Sequence, residues 1–335
     1  MTELIINDKQ SNAIKLIRSI SALMIIWCHI FQGLNNELAW WFNVGVQIFL
    51  FMSGFLMAKD YISYPIIFLK KRLSKILVSY YILLAITLII YSIFNIDINL
   101  NSILTYVFCL QGITYKNIIP GLEHLWFISI IIISYLLTLI LNYLREKLIH
   151  NKLSYIIIIC FLILTQILVD FSILPTAFGA RIGTFILGYF IACKYKYSLP
   201  KKILKNVSIL TILTLSIRIY FTYITTIEFY NFNHIFNNYF INWQHTLLGC
   251  FIFMALYHIF SSNFIFYNKE FNKLNFISKY SYEIYLVHQI IIIGPLSILF
   301  LSNYLILNLI IIFTITIIVA FLIHKASLYI KRALK

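Results

Sequence analysis

Arg18 and His29 stand eleven residues apart in one apolar stretch, IRSISALMIIWCHI, residues 17–30. Eleven residues make about three turns of α-helix, so the two side chains share a face, about 16.5 Å apart along the axis. An ionisable group at membrane depth is expensive and therefore a functional candidate. Alone, Arg18 can snorkel to lipid phosphates, and His29 can be a satisfied core or interface histidine. Together on one face they point to a shared cavity for a ligand with a charged end and a long thin arm. Acyl-coenzyme A entering from the cytoplasm has that form. Its phosphates would lie by Arg18 and the basic run 70–75, which holds Lys71, Arg72 and Lys75. Arginine and lysine both bind phosphate, arginine as a bidentate fork. The thioester would reach inward to His29, which serves as general base or as acyl acceptor.

Other polar residues interrupt the apolar runs. Ser281, Tyr285 and His288 are spaced i, i+4 and i+7 and share a helical face, with Glu283 on another. His288 is read either as a hydrogen-bonding tie between helices or as a group beside the donor. Glu123 and His124 stand just before Trp126. A carboxylate next to an imidazole can relay a proton or bind sugar hydroxyls; the alternative is a wet interface with a tryptophan anchor. Arg218 lies deep in an apolar run and is expected to face a cavity or to pair with Glu228 or Asp170. His245 and His258 are read as structural. The five cysteines stand singly, without a CxxC pair, and read as small buried residues, so no metal is expected.

Helices must position these groups. The 335-residue chain is 61% hydrophobic and 11% charged, whereas a soluble domain carries about 25% charged residues. It reads as an all-α, polytopic membrane protein. Ten apolar windows are expected to span: 14–34, 43–59, 76–94, 125–144, 153–170, 179–195, 204–226, 240–260, 277–300 and 303–324. The first is expected to remain in the protein and not to be cleaved as a leader. No loop is long enough for a soluble domain, so residues 1–335 read as one transmembrane domain. The net charge of +15 would suggest nucleic acid in a soluble protein. Here all Lys and Arg except Lys116, Arg181 and Arg218 fall on one side of a ten-span topology with both termini in the cytoplasm. The positive-inside rule accounts for that excess, and no nucleic-acid partner is expected. The apolar segments 101–110 and 61–69 are too short to cross and read as interfacial or re-entrant elements. The basic run after 61–69 also suits anchoring at lipid headgroups.

In series, these segments resemble the acyltransferase-3 family of integral membrane proteins. Arg18, Ala22, Ile26 and His29 resemble its first-span pattern, R-x-x-A-x-x-V-x-x-x-H, with the alanine one place later and isoleucine for valine. VGVQIFLFMSGFLM (44–57) resembles its second span and FLKKRLSKIL (68–77) its basic element. HLWFISIIIISYLL (124–137), RIGTFILGYFIA (181–192) and SYEIYLVH (281–288) resemble its later segments. The basic element departs from the pattern: Lys71 and Lys75 stand where arginines are common, and Val78 or Ser79 replaces a proline. Lysine keeps the charge but loses the fork. The resemblance implies an O-acyltransferase of the cell membrane that uses acetyl-CoA to modify cell-envelope carbohydrate, a polysaccharide or a glycolipid. It also implies that His29 is catalytic and that Arg18 and Arg72 matter for activity. The residues leave two rivals open, a carbohydrate exporter or flippase and a non-catalytic membrane scaffold.

Overall fold

A computed structural model describes residues 6–59, 61–114, 116–150, 152–224, 230–262 and 271–333. Among them there is no strand. Helix α1 (Asp8–Gly33) opens on a reciprocal cap: the Asn7 amide donates to Gln10 Oε1 and the Gln10 amide to Asn7 Oδ1, both at 2.9 Å. There follow α2 (Leu38–Phe42), α3 (Val44–Met57), α4 (Pro65–Ile93), α5 (Leu100–Val107) and α6 (Gln111–Thr114). A 3-10 turn at Glu123–Leu125 leads into α7 (Trp126–His150), then α8 (Lys152–Asp170), α9 (Phe178–Tyr195) and α10 (Lys201–Ile219). The last helices are α11 (Tyr230–Ile235), α12 (Ile241–Ser262), α13 (Phe271–Ile292) and α14 (Leu305–Ala333).

Among the described residues, seven helical stretches are long and apolar enough to cross a membrane: Asp8–Gly33, Leu38–Met57, Pro65–Ile93, Glu123–Arg145, Lys201–Ile224, Phe232–Ser262 and Leu305–Ala333. The windows 153–170, 179–195 and 277–300 are helical too, as α8, α9 and α13. Ile306, Ile310, Ile318 and Leu322 of α14 are exposed. Apolar surface of that kind on so long a helix belongs against lipid. The protein is a multi-pass membrane protein.

Two boundaries differ from the sequence expectation for local reasons. Helix α13 ends at Ile292, because Gly294 takes φ +127° and Pro295 follows. Helix α4 starts at Pro65, after an extended Tyr64, so the basic run is its first turns and not a separate interfacial piece. Segment 101–110 is the eight-residue α5, about 12 Å long. Its neighbourhood is stitched down by hydrogen bonds. The Tyr80 hydroxyl donates to the Tyr106 carbonyl (2.6 Å), the Tyr106 hydroxyl to Leu122 O (3.0 Å) and the Tyr91 hydroxyl to Pro120 O (2.7 Å). Burial raises the pKa of Tyr106, which keeps its hydroxyl a donor.

The chain forms two compact units. The first comprises Met1–Ile17, Val44–Ile62 and Leu136–Phe271, the second Arg18–Asn43, Ser63–Tyr135 and Asn272–Lys335. In the first, α3 and α9 approach closely at two glycines. A Cβ on Gly54 would strike the Phe185 carbonyl, and one on Gly188 the Phe51 carbonyl. Thr184 donates to Gln47 Oε1 (3.0 Å) and lies 2.9 Å from the Thr246 hydroxyl, which ties α3, α9 and α12 together. In the second unit, α14 packs along α4.

Candidate functional site

Helix α1 is unbroken from Arg18 to His29, so the shared face expected from the spacing is real. Both side chains belong to the second unit and both are half-buried. His29 Nδ1 lies 2.9 Å from Gln32 Oε1.

Two further imidazoles meet His29. Its ring centroid is 5.0 Å from that of His288 and 6.2 Å from that of His124, and the latter two are 5.0 Å apart. His288 and His124 are buried. His288 projects from α13, with Nδ1 2.7 Å from Tyr285 O and 3.2 Å from Ile284 O. His124 sits on the 3-10 turn before α7 and is clamped by α13. Its Nε2 lies 3.0 Å from Leu286 O, its amide donates to Gln289 Oε1 (3.1 Å), and its carbonyl accepts from the Tyr285 hydroxyl. Gln289 Nε2 in turn donates to Glu123 Oε2 at 2.7 Å, while the Gly121 amide donates to Glu123 Oε1 at 3.0 Å. The approach of this turn to the end of α13 needs glycine on both sides. Gly121 has φ +79° and Gly294 φ +127°, and a Cβ on Gly294 would lie 2.7 Å from the Gly121 Cα.

The Arg18 end is a cluster of charge. Arg18, Arg72, Lys331 and Glu283 all lie close enough to Lys75 to act on its charge. Lys331 Nζ donates to the Lys75 carbonyl at 3.2 Å. Arg72 lies over the Phe68 ring, 5.5 Å from its centroid. Buried Tyr135 feels both Arg72 and Arg18. Glu283 is buried and accepts from the Ser79 hydroxyl at 3.1 Å, with His324 Nδ1 also at 3.1 Å.

The structure thus gathers His29, His124 and His288 at one end, with Glu123 behind them, and Arg18, Arg72, Lys75 and Glu283 at the other. Glu283 joins the basic cluster and not the three rings. Lys71 is exposed and Trp126 half-buried. Arg218 belongs to the first unit, is buried, and donates through NH1 to Gln244 Oε1 at 2.8 Å. Its suggested partner Glu228 lies outside the described residues, and Asp170 accepts from the Tyr239 hydroxyl. Sequence reasoning missed Lys331, His324, Tyr135 and Gln289. Only Gln289 carried a signal, an amide inside an apolar helix. Among the described residues, no group of three His, Cys, Asp or Glu side chains is arranged to hold a metal ion.

A family model described as an acyltransferase domain, that of the acyltransferase-3 family, matches residues 11–325. The chain belongs to the acyltransferase-3 family. No curated protein and no solved structure matches it. Both ends of the candidate site of this membrane acyltransferase fall within the matched residues except Lys331, which lies beyond them.

Proposed function

We propose that this acyltransferase moves an acetyl group from cytoplasmic acetyl-CoA to a hydroxyl of a cell-envelope carbohydrate, a polysaccharide or a glycolipid, in the plasma membrane. The observation that carries the reading is the pairing of two ends on one helix face: Arg18 among cations, and His29 among imidazoles. Arg18, Arg72 and Lys331 gather around Lys75, and Glu283 is the carboxylate that acts on Lys75 and Lys331 among the described residues. That surplus suits a ligand with several phosphate charges. Lys71 extends the same charge at the rim. A thioester arm running along the face of α1 would then present its carbonyl to His29.

His29 is the reachable ring of the three and is the proposed base or acyl acceptor. In the first role it takes the hydroxyl proton as the oxygen attacks the thioester; in the second its ring nitrogen attacks first. Glu123 is exposed beside His124, and with half-buried Trp126 it is proposed to meet the acceptor's hydroxyls. The proposed orientation puts the Arg18 end and both termini in the cytoplasm, the side that the positive-inside rule favours for these basic residues.

The test is mass spectrometry of envelope glycans from cells with the gene, without it, and with His29→Ala. Loss of an acetyl mass is expected in both altered strains. Unchanged glycans without the gene, or full acetylation with His29→Ala, would overturn the reading. Binding of acetyl-CoA by the purified protein separates it from an exporter, which has no need of that ligand.

A further inference from the structure

Two nitrogens of the three-ring cluster have no evident use. His288 Nδ1 faces backbone carbonyls, which only accept, so it carries the hydrogen and Nε2 is a bare acceptor. The same argument gives His124 its hydrogen on Nε2 and a bare Nδ1. Neither bare nitrogen has a hydrogen-bond partner among the described residues, and the two residues are 0% and 3% exposed. Buried acceptors without partners weaken a fold, and here backbone carbonyls lock both tautomers. Nε2 lies on the edge of the His288 ring away from its own helix. The rings of His29 and His124 pack against His288, each 5.0 Å away. No carboxylate hydrogen-bonds to the three rings among the described residues. Glu123 reaches the cluster only through Gln289, and Glu283 is engaged by Ser79 and His324. Tyr285 is a further titratable side chain against the rings.

We infer that His288, backed by His124, is a positioning residue that stabilises the positively charged state His29 reaches during acyl transfer. Its electron-rich ring packs against the cation from the side, while Gln32 Oε1, 2.9 Å from His29 Nδ1, holds the place a carboxylate takes behind the histidine of a Ser-His-Asp triad. The inference rests on the reading of His29 given above. If His29 is the base, the acceptor O–H bond breaks and its proton goes to His29. The oxygen bonds to the acyl carbon, the carbon–sulfur bond breaks, and the proton passes to the departing sulfur. If His29 is acylated, the thiolate leaves first and the ring is cationic until the hydroxyl takes the acyl group and gives its proton to the sulfur. In both, the cation on His29 exists only within the cycle. An electron-rich ring packed against it raises kcat and leaves resting donor affinity alone.

The test compares His288→Leu, which removes the lone pair, with His288→Gln, which keeps an acceptor, in full-length protein in detergent. His288→Leu is expected to lower kcat about a hundred-fold with KM for acetyl-CoA unchanged, and His288→Gln to recover a large part. Wild-type kcat in His288→Leu, or equal losses in both, overturns the inference. A second readout needs neither a variant nor acyl transfer: nitrogen-15 resonances of the histidines of the wild-type protein as the pH is lowered. When His29 takes a proton, the His288 Nε2 signal is expected to move from that of a bare nitrogen to that of a hydrogen-bonded one. A His288 signal that stays fixed while His29 titrates overturns the inference, even where the donor or acceptor has been misassigned.

Discussion

Glu283 and His324 meet at 3.1 Å across 41 residues of sequence, and the Ser79 hydroxyl donates to the same carboxylate oxygen. One side chain of α13 therefore ties α14 and α4 at the end of the unit where the cations gather. Glu283→Leu would leave a hydroxyl and an imidazole without their acceptor, and the cations without their counter-charge. It is expected to lower stability by about 1–3 kcal/mol, read as a lower Tm in detergent. An unchanged Tm would show that the carboxylate is no tie.

Lys331 tests the anion site from an unexpected helix. It reaches the Lys75 carbonyl from the last turns of α14 and adds a fourth positive charge. A hydrogen bond to a charged group contributes about 1.5–3 kcal/mol. Lys331→Ala is therefore expected to raise KM for acetyl-CoA roughly ten-fold or more, with kcat nearly unchanged. The rise of KM with salt should also be shallower in the variant, because one screened attraction is gone. A loss confined to kcat would place Lys331 outside the donor site.

Arg18 and His29 were legible because helix spacing is a local rule, and a helix keeps it whatever packs around it. The meeting of His124 with His288 was not legible, since it depends on a turn at Gly121 and on the end of α13 at Gly294, separated by more than a hundred residues of sequence. His124 was read with its neighbours Glu123 and Trp126, and its ring instead joins α13. Lys331 counted only as a topogenic charge, because nothing in a one-dimensional pattern says which basic residues of one side lie together.

Gly54 and Gly188 give a prediction about the first unit. Each faces the other helix's backbone, so an added methyl group has no flexible side chain to push aside. Gly54→Ala and Gly188→Ala are each expected to destabilise by about 1–3 kcal/mol, and the double variant by more than either. The measure is the fraction of protein that stays monodisperse in detergent on heating. Wild-type behaviour in both single variants would mean that α3 and α9 are further apart than described.

Gln289 separates positioning from binding most cleanly. Its amide oxygen accepts from the His124 amide and its nitrogen donates to Glu123, so it fixes the turn that carries His124. Among the described residues its side-chain hydrogen bonds go to His124 and Glu123 and not to the Arg18 end. Gln289→Leu keeps the size but leaves the buried His124 amide unsatisfied, at a cost of about 1–3 kcal/mol in stability. As His124 loses its register, kcat is expected to fall roughly ten-fold or more, while KM for acetyl-CoA holds. Gln289→Glu is the sharper variant. It keeps an acceptor for the His124 amide but sets a second carboxylate against Glu123. Two like charges at hydrogen-bond distance repel until one takes a proton. The deficit of Gln289→Glu relative to wild type, in Tm and in kcat, is therefore expected to be largest at high pH and to shrink as the pH falls and a carboxyl becomes a donor. A deficit independent of pH would show that Glu123 has turned away to solvent, and that Gln289 holds His124 alone.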